Sequence, residues 1–121
     1  MNGPFTFNLD PTTRSLTLDD GQLAASPSEA VGLVVWTLCT PYGHCLVCPD
    51  LGVRWEVAKT DREGAPLALE KELVRAMQWI ADLQLLRALT VTVTRLAHGR
   101  LQYAIAFDAP DGGRTTVRGT P

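Results

Sequence analysis

Apolar and polar positions change their period several times along this chain, and the changes mark out its elements. Phe5, Phe7 and Leu9 alternate with polar neighbours, a turn-forming Asp10-Pro11-Thr12-Thr13 follows, and Leu16 and Leu18 alternate again before Asp19-Asp20-Gly21. This pattern predicts a β-hairpin, or an arm, within residues 1–20. Ser26-Pro27-Ser28-Glu29 then carries a capping serine, a proline suited to the first helical position and a glutamate at capping-box distance. The stripe Val31, Val34, Val35 and Leu38, with Trp36 on its flank, recurs at helical spacing and should end at Thr40-Pro41, because proline disfavours helix at the residue before it.

Residues 41–64 lose any period and carry turn signals at Tyr42-Gly43, Pro49-Asp50-Leu51-Gly52 and Asp61-Arg62-Glu63-Gly64, which predicts a long connecting loop. Pro66 opens a second helix whose apolar face is Leu69, Leu73, Met77 and Ile80, with Glu70, Lys71, Glu72 and Arg75 on a face expected to be solvated. The period then shortens to two. Leu89, Val91 and Val93 alternate with Thr90, Thr92 and Thr94; His98-Gly99 turns; Leu101, Tyr103, Ile105 and Phe107 form the next strand. Pro110-Asp111-Gly112-Gly113 turns again into a short last strand, Thr115, Thr116, Val117 and Arg118. The predicted fold class is α+β: an N-terminal β-hairpin, two helices and a C-terminal antiparallel three-stranded meander, all in one domain over residues 1–121.

Composition narrows the function. Of the 121 residues, 45% are hydrophobic and 20% charged, the balance of a chain that buries a core. Eleven basic against thirteen acidic residues give a net charge of -2, so nucleic acid is not the expected partner. No apolar run approaches the ~18 residues that cross a bilayer, and the N-terminus lacks the basic and apolar regions of a signal peptide, which predicts no membrane partner and a cytoplasmic site of synthesis.

One cluster carries metal-type chemistry. Cys39, His44, Cys45 and Cys48 lie within ten residues, and Cys45 and Cys48 have the spacing at which two thiolates reach one zinc ion. A structural zinc site needs four ligands, and the second paired motif is missing, so free thiols, no bound metal and no cofactor are expected. A small zinc-stabilised binding or regulatory module built on Cys39, Cys45 and Cys48 is the competing reading. His44 and His98 are the only candidate bases, no nucleophile is paired with either by spacing, and Asp19-Asp20 reads as a turn; the chain is expected not to be an enzyme.

The order of motifs resembles a family. Leu16-Thr17-Leu18-Asp19-Asp20-Gly21, the helix ending Leu38-Cys39-Thr40-Pro41-Tyr42-Gly43, the turn Pro49-Asp50-Leu51-Gly52, the second helix, and the strands Leu89-Thr90-Val91-Thr92-Val93 and Leu101-Gln102-Tyr103-Ala104-Ile105 are similar to the small baseplate-wedge proteins of contractile-tailed phages, the lysozyme-like wedge family. Leu85-Leu86-Arg87 stands where that family often has Glu-Pro-Arg, which fits a divergent or Mu-like branch. The resemblance implies a structural subunit of the virion tail baseplate, a sheath initiator whose partners are the tail sheath protein, other wedge subunits and the tube and hub proteins. It implies docking by β-augmentation, in which a neighbour's arm adds a strand to an open sheet edge. The short polar strand Thr115, Thr116, Val117 and Arg118 is the edge expected to receive it, and an edge would tolerate proline at Val117.

Overall fold

The computed structural model describes residues 5–10, 16–18, 29–43, 46–47, 50–56, 64–96, 100–108 and 114–121. In chain order the elements are β1 (Phe5–Leu9), β2 (Leu16–Leu18), α1 (Glu29–Leu38), α2 (Ala65–Asp82), β3 (Arg87–Arg95), β4 (Leu101–Asp108) and β5 (Arg114–Gly119). The strands form one five-stranded sheet in the order β2-β1-β5-β4-β3. β1 pairs antiparallel with β2 but parallel with β5, while β3, β4 and β5 run antiparallel in turn.

This corrects the fold class expected from sequence. There is no separate N-terminal hairpin beside a three-stranded antiparallel meander; β1 lies along the outer side of β5 and converts the meander into a mixed five-stranded sheet. The pairing joins residues about as far apart as the chain allows, Asn8 opposite Arg118, and the Arg118 Nε donates to Asn8 Oδ1 at 3.2 Å. No local pattern encodes such a contact. The alternation in each strand marks which face is buried, not which strand lies beside it.

Side-chain alternation divides the sheet into two faces. Phe7, Leu9, Val91, Leu101, Tyr103, Ile105, Phe107, Thr115 and Val117 are buried on one. On the other, Thr92, Ala104, Arg118, Asn8 and Thr17 line up across all five strands and are half-buried or exposed. Both helices lie against the buried face, since Val31, Val34 and Leu38 of α1 and Leu69, Leu73, Met77 and Ile80 of α2 share one apolar cluster with it. The helix stripes read from the sequence are therefore the core-facing ones. Gly119 stands opposite Tyr103 in the ladder, and a Cβ there would come within 2.5 Å of the tyrosine hydroxyl, so only glycine lets that ring lie flat under β5. Burial pushes the Tyr103 phenol above its ordinary pKa, and Cys39 adds to the shift.

The helix ends follow from local chemistry. After α1, Thr40 Oγ1 turns back to the Trp36 carbonyl at 2.8 Å, and Pro41 blocks continuation. The Ser26-Pro27 start signal lies outside the described residues. α2 begins after Gly64 with proline in its first turn, as expected, and ends where Gln84 takes a left-handed φ of 63° and donates its N–H to the Ala81 carbonyl.

Candidate docking surfaces

The residues expected to form the docking edge, Thr115, Thr116, Val117 and Arg118, lie in the central strand β5. Phe5, Thr6, Phe7 and Asn8 face them on one side, and Phe107, Ala106, Ile105 and Ala104 on the other. The open edge expected there is absent, because both flanks of β5 carry ladder partners. Thr115 and Val117 point into the core, and only Thr116 and Arg118 reach the opposite face.

The sheet ends instead at β2 and β3. β2 spans three residues and β3 nine, so β3 presents the longer outer edge among the described residues. Along it Val91 is buried, Leu89 and Val93 are half-buried, and Thr90, Thr92 and Thr94 are exposed. Its first turn is irregular. The register slips between Arg87 and Thr90, and Ala88 adopts a φ of 52°, a conformation unusual for a residue with a Cβ. Arg114, at the start of β5, reaches past the end of β4 and donates from Nη1 both to the Ala88 carbonyl and to Asp108 Oδ1, each at 3.2 Å. One side chain thus holds the bulge against the strain of the positive φ.

A second surface is the connection after α1. Its base is tied tightly. Pro41 bridges to Val53, the Val53 N–H donates to the Thr40 carbonyl, and the Tyr42 N–H donates to the Val53 carbonyl. Gly52 has a φ of 103°, and a Cβ on it would collide with the Thr40 carbonyl oxygen. The Trp55 indole donates to the Leu38 carbonyl at 3.2 Å and packs against Tyr103.

Glu72 and Arg75 of α2 complete this base. Glu72 accepts the Arg54 backbone N–H at 2.6 Å and a two-pronged contact from Arg75 Nε and Nη2, each at 2.7 Å. Arg75 also donates to the Asp50 and Gly52 carbonyls. Burial raises the Glu72 pKa, but the hydrogen bonds and the nearby guanidinium groups outweigh it and hold the carboxyl below its ordinary value. The same contact raises that of Arg75. The sequence placed Glu72 on a solvated face, whereas its side chain is buried. The legible signal was the spacing of an acid three residues before an arginine; what it lacked was the loop that lies over both.

Above this base stands Tyr42, with the Arg54 guanidinium 4.0 Å from its ring centroid and that of Arg75 at 5.1 Å. Its hydroxyl donates to Asp50 Oδ1 at 3.1 Å. Of the cysteine cluster, Cys39 is half-buried just past α1, while His44, Cys45 and Cys48 lie outside the described residues, as does His98. No helix among the described residues is long and apolar enough to cross a membrane.

No family model and no curated protein matches the chain. Among solved structures, the crystal structure of a putative tail lysozyme from Geobacter sulfurreducens is similar, with a TM-score of 0.62 over 81% of this chain and 95% of that one at 20% sequence identity. At that identity the likeness is one of fold.

Proposed function

We propose that this chain is a structural subunit of a contractile phage tail, a sheath initiator in the baseplate that receives an arm of the sheath protein by β-strand addition along β3. The observation that carries the reading is the outer edge of β3, nine residues long with no neighbouring strand among the described residues, in a fold similar to that of a putative tail lysozyme. A strand bordered by exposed threonines offers main-chain donors and acceptors to an extended segment without an apolar surface that would aggregate. On this reading docking falls at β3 and not at Thr115–Arg118, whose main chain is already paired.

On this reading the chain binds and does not catalyse. Among the described residues the buried carboxyl is that of Glu72, and in support of this reading it is held below its ordinary pKa and committed to Arg75 and to the Arg54 N–H, whereas a glycosidase acid needs a raised one. Its arrangement suits a structural anchor.

The test uses the alternation of N–H groups along a strand. Thr92 and Val93 direct their main-chain groups to opposite sides of β3, so proline at one removes a donor from the β4 ladder and at the other a donor from the outer edge. Electron microscopy of particles assembled with Thr92→Pro and with Val93→Pro should show tubes and baseplates without sheath for the variant that still folds. Sheathed, contractile tails with that variant would refute β3 as the docking edge.

A further inference from the structure

We infer that the arm received along β3 is an amphipathic strand with a carboxylate at each end, its apolar side chains on the helix side of the sheet and its Asp or Glu residues set against Arg87 at one end and Arg100 at the other. This inference rests on the reading of β3 as the docking edge, and names the chemistry of the segment that docks there.

The edge is basic at both ends. Arg87 opens β3 and Arg95 closes it, roughly 25 Å apart at the usual rise of a strand, and both are exposed. Arg100 stands beside this far end, since the Leu96 N–H donates to its carbonyl at 2.6 Å, and it too is exposed. The side chains of Arg87 and Arg100 have no ion-pair partner among the described residues; Asp108, which faces Arg87 in the ladder, is taken by Arg114 at 3.2 Å. Residues 87–121 hold five of the eleven basic side chains and two of the thirteen acidic ones, so this part carries +3 in a chain whose net charge is -2. Opposite charge on an incoming strand steers it and fixes its register, and like charge opposes it.

Between the arginines the edge has two unlike faces. Leu89 and Val93 flank the buried Val91 and pack against the core, yet they are only half-buried, while Thr90, Thr92 and Thr94 are exposed on the other face. A strand laid alongside repeats the same alternation, so apolar side chains on the helix side complete the cover of Leu89 and Val93, and polar ones fall beside the threonines. A second copy of β3 fits less well: antiparallel pairing centred on Val91 would set Arg87 of one copy against Arg95 of the other. Nucleic acid fits less well too, because cations at the two ends of a strand with threonines between them do not make the continuous basic stripe that follows a phosphate backbone.

The experiment counts sheathed tails by electron microscopy for particles assembled with wild type, Arg87→Glu with Arg100→Glu, Arg87→Lys with Arg100→Lys, and the β3 proline variant that folds. Both arginine side chains are exposed, so the glutamate variant should keep the wild-type circular dichroism and melting temperature, which are measured first. Its proportion of sheathed tails should fall by about tenfold or more, the loss expected when like charges meet at both ends of the arm. The lysine variant keeps the charge and should stay near wild type. If the glutamate variant does not fold, Arg87→Gln with Arg100→Gln takes its place, with a smaller loss expected. Normal sheathing of the folded charge variant, with sheath lost in the proline variant, overturns the acidic arm and leaves β3 as the docking edge. Normal sheathing in both overturns the two readings together. Equal loss in the lysine and glutamate variants overturns charge as the basis of recognition. A dimer of the purified wild-type chain in sedimentation velocity, lost in the proline variant, would assign the edge to a second copy and overturn the inference. A fluorescein-labelled DNA duplex bound by wild type and released by the glutamate variant, with sheathing unchanged, would overturn it in favour of nucleic acid.

Discussion

β3 and β5 are both built around threonine and valine, yet one is at the rim of the sheet and the other at its centre. Val117 is fully buried between Phe7 and Ile105, whereas Val93, with Tyr103 as its ladder partner, is half-buried. The difference arises from the N-terminal strand. β1 returns to the C-terminal end of the chain and occupies the side of β5 that would otherwise have been the edge. Strand composition reports burial of one face, and says nothing of how many neighbours the backbone has.

The sharpest way to break this comparison is a proline in the central strand. Val117→Pro should remove a ladder hydrogen bond whichever neighbour it serves, at a cost of about 3 kcal/mol or more, and the protein should fail to fold or unfold at far lower urea. An edge strand would tolerate the same change, so a cooperative transition near the wild-type midpoint would refute the central position of β5.

A gentler version removes side chains only. Val117→Ala should cost about 2 kcal/mol, the scale of deleting a fully buried aliphatic group, whereas Thr92→Ala on the exposed side of β3 should stay within about 0.5 kcal/mol. Equal losses in equilibrium unfolding would erase the distinction between rim and centre.

The loop against α2 extends the comparison, because it is held by charge where β5 is held by its ladders. Glu72→Gln should cost on the order of 1–2 kcal/mol, discounted because the Arg75 side chain is 36% exposed. The Glu72 pKa is lowered on folding, so its contribution is fully present above the ordinary value of 4.5 and is lost as pH falls through the folded value. Acid titration of stability should accordingly be shallower below that pH in Glu72→Gln than in wild type; superimposable profiles would mean that the carboxylate does not hold the loop.

The smallest effect is expected at the start of β3. Arg114→Ala removes the contacts to the Ala88 carbonyl and to Asp108, but both charged side chains are more than 40% exposed, so the loss should be under about 1 kcal/mol. Hydrogen exchange should nevertheless quicken at residues 88–90 and not in β5, and unchanged rates there would show that the bulge is held by its ladder alone.

What the chain determines by itself is local. The periods of Leu69, Leu73, Met77 and Ile80 and of Tyr103, Ile105 and Phe107 correctly identified core-facing positions, because helical and strand geometry turn sequence spacing directly into direction in space. Pro41 and Pro66 marked a helix end and a helix start for equally local reasons of backbone sterics. The tertiary structure decided everything that depends on a distant neighbour. β1 beside β5 joins Asn8 to Arg118, burial of Glu72 needs the loop around Gly52 to lie over α2, and β5 ceases to be an edge only because β1 covers its outer side. Strand pairing is made by backbone groups that every residue shares, so the identity of a strand's neighbour is written in the packing of the whole chain and in no single segment of it.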